Sequence, residues 1–122
     1  MKIFTSYYSK ISRNPRGLVP IQISTSKPDW FLYACEELTE VYPGWDLVMG
    51  IKNKTISVEE YTSRYLKKLE LLNKEVILER LQEISKNNNN RDLVLLCYET
   101  PDKFCHRHLL AQWLNCNVLE VD

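Results

Sequence analysis

The stretch DLVLLCYETPDKFCHRHLLAQW, residues 92–113, constrains the fold more than any other part of the chain. It opens with five apolar residues, Leu93 to Cys97. Such a run is too short for a helix and suits a strand buried on both faces. A polar connection follows at residues 98–104, where Pro101 and Asp102 predict a turn. Leu109, Leu110, Trp113 and Leu114 then recur at helical spacing. The reading is strand, short loop, helix. Cys97 and Glu99 lie at the strand's carboxyl end, and Cys105, His106 and Arg107 lie at the start of the helix. In open α/β sheets, ligands sit outside the carboxyl ends of the strands. Most of the reactive side chains in the protein therefore converge on one edge.

The rest of the chain supplies further strands and helices. Residues 2–5 and 18–23 read as two strands, the second with Pro20 near its start, where a missing N–H is tolerated. Both end in small hydroxylic residues, Ser6 in one and Ser24, Thr25 and Ser26 in the other. The connection between them, with Asn14, Pro15 and Gly17, is a loop without a clear helix. Ser26, Pro28 and Asp29 have the form of a helix start. The spacing of Trp30, Phe31, Ala34, Cys35 and Leu38 predicts a helix to Glu40, with Cys35 as a small core residue. Residues 45–49 fit a short strand or a packed loop. Ser57 and Glu60 form a capping box, and Asn73 caps a second helix over residues 74–85 unless the two are one kinked helix. Residues 118–121 make a terminal strand. Strands alternating with helices predict a single three-layer α/β domain over residues 1–122. Its core is a mostly parallel twisted sheet of about four to five strands with helices on both faces.

Composition narrows the function. Sixteen basic residues balance sixteen acidic ones, so a nucleic-acid partner is not expected, although Lys10, Arg13 and Arg16 form a local basic cluster. The apolar runs are too short for a membrane span, and the N-terminus is too polar for an export signal. A cytoplasmic protein is the expectation, and its four cysteines are expected to be thiols.

Cys105 is the leading candidate for a reactive group, because a helix N-terminus and the adjacent His106 and Arg107 favour thiolate. His106 fits a general acid or base. The fork of Arg107 fits a carboxylate or phosphate, and its simplest internal partner is Glu99. Glu99 itself fits a base or a hydroxyl anchor. Cys97 reads as core. A zinc reading would use Cys97, Cys105, His106 and His108, but the spacing is not a common finger or ribbon pattern. Adjacent Cys105 and His106 are also expected to diverge, so neither a metal nor another cofactor is expected. A cysteine phosphatase loop is absent, since position 111 is alanine. Three scattered glycines, Gly17, Gly44 and Gly50, make no phosphate loop.

The residues Cys97, Glu99, Cys105, His106 and Arg107 match a Leu-Cys-x-Glu strand end followed by Cys-His-Arg. In this the chain resembles the bacterial and phage family known as domain of unknown function 488. Its opening TSYYSKI and VPIQIS and its central WDLVMGIK are similar to short members as well. The resemblance implies a compact α/β domain with these residues at one sheet edge, and it implies no particular activity. A strand end of threonine-isoleucine-glycine-histidine type, usual in longer members, is replaced here by Thr5-Ser6-Tyr7.

Two functions are carried forward. One is an enzyme or small-ligand protein in which Cys105, His106 and Glu99 are catalytic and Arg107, Ser6 and Tyr7 bind a polar or anionic molecule, by analogy nucleoside-like. The other is a protein-interaction module in which the motif is a structural lock and Tyr7, Tyr8, Trp30 and Trp45 are anchors.

Overall fold

The computed structural model describes residues 1–12, 15–100 and 103–121. The turn expected at Pro101 and Asp102, and Asn14 and Arg13 of the first loop, lie outside these residues. Five parallel strands form one sheet in the order β3-β2-β4-β1-β5. They are β1 (Ile3–Tyr7), β2 (Val19–Gln22), β3 (Glu36–Glu37), β4 (Leu93–Cys97) and β5 (Leu119–Glu120). β4 lies at the centre, paired with β1 on one side and β2 on the other. All five of its residues are buried, as the unbroken apolar run requires.

Alternation along the strands builds two cores. Ile3, Val19, Ile21, Leu93, Leu95 and Cys97 face the larger one. It is closed by α2 (Trp45–Lys52), α3 (Val58–Glu70), α4 (Lys74–Asn87) and α5 (His106–Leu114). Val94 and Leu96 face a smaller core with Tyr8 and Ile11 of the short α1 (Tyr8–Ile11) and with Phe31. Helices thus cover both faces, unequally. The chain order explains the imbalance. Crossings from β1 to β2 and from β2 to β3 run one way along the sheet and use the smaller core's face. The β3-to-β4 and β4-to-β5 crossings run the other way and use the larger one's. A single crossover hand requires such an alternation. It also makes β1 and β4 neighbours whose following connections leave to opposite faces, which is where a crevice opens.

Pro20 is accommodated by the same geometry. The N–H groups of Val19 and Ile23 point to β4, donating to the carbonyls of Asp92 (2.9 Å) and Leu96 (3.3 Å). The Pro20 nitrogen therefore points to the β3 side, where pairing begins only at Ile21.

The expected helix to Glu40 does not form. Phe31 makes one turn onto the Pro28 carbonyl (3.1 Å) and buries against Tyr8, with ring centroids 5.2 Å apart. Glu36 and Glu37 then extend to add β3 to the edge of β2, and Leu38 and Val41 enter the larger core around a 3-10 turn (Thr39–Val41). Pairing the edge of β2 outweighs the local cap, and Ser26 meets the Tyr98 hydroxyl instead (3.1 Å). Trp30, placed by periodicity on the inward face, is 54% exposed. Cys35 is half-buried at the margin of the smaller core. Residues 45–49 belong to α2, not to a strand or loop; Gly44 enters it at φ +92°, a conformation suited to glycine. The capped pair is two helices. The Glu60 N–H donates to Ser57 Oγ (3.0 Å) and the Val76 N–H to Asn73 Oδ1 (3.3 Å).

Candidate active site

The edge where β1 and β4 end is roofed by the first turn of α5. Tyr7 pairs in register with Cys97, so the last residues of both strands stand side by side. On the larger core's face, Thr5, Tyr7 and Cys97 look toward α5. Ser6 occupies the intervening position and looks the other way. Its hydroxyl is buried and has no hydrogen-bond partner among the described residues. The two ligand-binding candidates from β1 are thus on opposite sides of the sheet, because strand side chains alternate.

Arg107 is completely buried. Its Nε and Nη2 donate to the two carboxylate oxygens of Glu120 on β5 (3.1 and 2.9 Å). Nη1 donates to Cys97 Sγ (3.0 Å) and to the Glu99 carbonyl (2.5 Å). The Tyr7 ring lies 5.7 Å from the guanidinium carbon, within cation–π range. Thr5 donates to Glu120 Oε1 (2.6 Å) and orients that carboxylate. The expected ion pair with Glu99 is therefore replaced by a bidentate pair with Glu120. The turn after β4 brings the backbone of Glu99 to Arg107 and leaves its side chain exposed, whereas β5 aims Glu120 at the guanidinium from the adjoining strand. Glu120 was passed over in the sequence; the signal available was a lone acid between Leu119 and Val121 in an apolar terminal strand.

His106 is buried too, and its Nε2 lies 2.8 Å from the Ile23 carbonyl. A carbonyl only accepts, so Nε2 carries the proton and Nδ1 presents a lone pair. That Nδ1 is 3.9 Å from Cys105 Sγ. Burial pushes the imidazole down to about 4, against the Ile23 hydrogen bond and with Arg107 nearby, so the ring is neutral near pH 7. The Tyr65 ring meets it edge-on at 5.4 Å, and Tyr61 holds Phe104 of the preceding loop at 4.9 Å.

Cys105 is the N-cap of α5, in extended conformation (φ −148°, ψ 141°). Because it stands outside the helix, its side chain does not diverge from that of His106 as expected. Cys97 Sγ, Cys105 Sγ and a ring nitrogen of His106 all lie within 4.8 Å of one another. The structure joins Cys97 and Cys105 in a disulfide, so the expectation of four free thiols holds only for Cys35 and Cys116. Proximity is the reason. The β4-to-α5 loop folds the chain back over its own strand end, so residues eight apart meet. Cys97, read from its apolar strand as core, is a full member of the site. His108 is not; its Nε2 is buried without a partner among the described residues. The site thus gathers Cys97, Cys105, His106, Arg107 and Tyr7, with Glu99 exposed at its rim.

A family model described as the active DUF488-N3 subclade, DUF488-N3a, matches residues 10–118. The chain belongs to the DUF488 family. The match to DUF488 takes in Cys97, Glu99 and Cys105 to Arg107, and it stops short of Glu120 and begins after Ser6 and Tyr7. No curated protein and no solved structure gives a significant match. No helix among the described residues is long and apolar enough to cross a membrane.

Proposed function

We propose that this chain is an enzyme acting on a polar or anionic small molecule at the carboxyl edge of β1 and β4. The observation that carries the reading is the sulfur–imidazole centre itself: two cysteines and a neutral histidine gathered beside a fully buried arginine at a topological switch point. The description of the matching subclade as active is in keeping with it. With the Cys97–Cys105 disulfide reduced, Cys105 and His106 are the reactive groups. Glu99, exposed at the rim, is the base or the anchor for a substrate hydroxyl. Tyr7 presents a ring beside the guanidinium. Arg107 acts as a positioning residue, since four of its N–H bonds go to the protein. Ser6 looks to the other face of the sheet, so this reading assigns it no step. A nucleoside or nucleotide suits the hydroxyl-rich, aromatic rim by analogy with other α/β sheets.

The test is a thermal-shift panel of nucleosides, nucleoside monophosphates and small carboxylates on the wild type and on Glu99→Gln. At least one compound is expected to raise the wild-type Tm by several degrees and to leave Glu99→Gln unshifted, with the unliganded Tm values equal. Equal shifts in both proteins, or none in either, would reject the reading.

The second reading, a protein-interaction module, is favoured by the exposure of Trp30 (54%) and Trp45 (57%). Large aromatics in solvent are possible interface anchors. Tyr8, completely buried, is not one. In that reading the bonds of Arg107 are the structural lock on the β4–α5 loop.

A further inference from the structure

We propose that Cys97, Cys105 and His106 form a binding site for one transition-metal ion, zinc by donor type, with its fourth position open. Two sulfurs and one imidazole nitrogen are a borderline-soft set that suits zinc, and three protein donors leave room for water or a substrate atom. On tetrahedral zinc, bonds of about 2.3 Å to sulfur and about 2.0–2.1 Å to nitrogen set the donors about 3.6–3.8 Å apart. The separation of Cys105 Sγ from His106 Nδ1, 3.9 Å, is close to this. Cys97 and Cys105 have their Cα atoms 7.3 Å apart. A disulfide usually holds Cα atoms at about 4.4–6.8 Å, so this backbone spacing leaves room for an ion between two thiolates in the reduced protein.

The surroundings are those of a metal ligand set. His106 donates Nε2–H to the Ile23 carbonyl, which fixes the tautomer with Nδ1 free to ligate. Arg107 donates to Cys97 Sγ, as an outer partner of a thiolate would. Its charge is balanced by Glu120, so two thiolates and a divalent ion would leave the site neutral. Tyr65 and the loop residue Phe104, held by Tyr61, pack around the ligands and fix the first turn of α5. Among the described residues no other cluster of three such ligands exists.

The ion rests on the enzyme reading and deepens it, with Cys105 and His106 acting as its ligands and the open position meeting the substrate, and its presence is measured without any activity. The reduced full-length chain is loaded with zinc, desalted and weighed by native mass spectrometry. One zinc per chain is expected. Cobalt in its place should give thiolate-to-metal charge-transfer absorption, weakened in Cys105→Ser and abolished in Cys97→Ser/Cys105→Ser, while His108→Ala retains the ion. A reduced wild-type protein that keeps no zinc or cobalt would overturn the proposal, as would an ion that survives the double cysteine change. Zinc binding by a chain that responds to no compound in the panel would reject the enzyme reading alone. A metal-free chain stabilised by a compound through Glu99 would reject the ion alone.

Discussion

Arg107 lies in the first turn of α5 and is met by the Cys97 sulfur, the Glu99 carbonyl and both oxygens of Glu120. The pair with Glu120 is shielded on the arginine side and 28% exposed on the glutamate side. Removing one partner of such a pair leaves a charge with little water to replace it. Arg107→Met is expected to lower the unfolding free energy by roughly 3 kcal/mol, read from urea midpoints. Arg107→Lys should recover only part of the loss, because an ammonium cannot span both oxygens of Glu120 and the sulfur together. An effect below about 1 kcal/mol in Arg107→Met would mean that the pair contributes as little as an exposed one. The residues Cys105, His106 and Arg107 were legible as a group from their adjacency at a helix start. Their partners were not. Glu120 and Ile23 come from other strands, and no spacing rule links position 107 to 120 or 106 to 23.

Among the elements, α3 and α4 were predicted from local signals that the structure bears out, because a cap and the first turn it serves lie within four residues. In Ser57 only half of the capping box is made: the serine accepts from the Glu60 N–H, while the Glu60 carboxylate turns to Arg64 (3.4 Å). Asn73→Ala should cost about 1 kcal/mol, and Ser57→Ala a similar amount. Far-ultraviolet circular dichroism during urea unfolding would check both, and unchanged midpoints would show that the caps are replaced by water without loss. The segment from Ser26 to Val41 had equally good local signals and follows another course. Its cap residue is drawn to Tyr98, Phe31 to Tyr8, and Glu36 and Glu37 to the open edge of β2. Each of these is a long-range contact that a helix at this place would forfeit.

At the scale of the whole molecule, Arg80 of α4 ties the helical layer to the β3 edge. It pairs with Glu40 through Nη1 and donates from Nη2 to the Glu37 carbonyl (2.7 Å). Partial burial raises the Glu40 pKa, but hydrogen bonds from the backbone and from Arg80 prevail and hold the carboxyl below its usual range. A carboxylate with a lowered folded pKa contributes stability above its unfolded pKa, about 4.3, and loses it as the pH falls through the folded value. The urea midpoint of the wild type should therefore exceed that of Glu40→Gln near pH 7, with the difference shrinking as the pH falls below the unfolded value and through the lowered folded one. A pH-independent difference would show that the loss is one of packing. The five apolar residues of β4, the alternation of strand and helix and the crowding of Cys, His and Arg at one helix start were enough to determine an α/β sheet and the edge at which those three residues gather. These signals are local, written in period and adjacency along the chain. The partner of Arg107, the approach of Cys97 to Cys105, the facing of Ser6 away from Tyr7 and the non-helical path of residues 26–38 were decided only when the sheet assembled. Strand order and side-chain alternation determine which distant groups face one another, and a buried donor takes the acceptor that the neighbouring strand delivers.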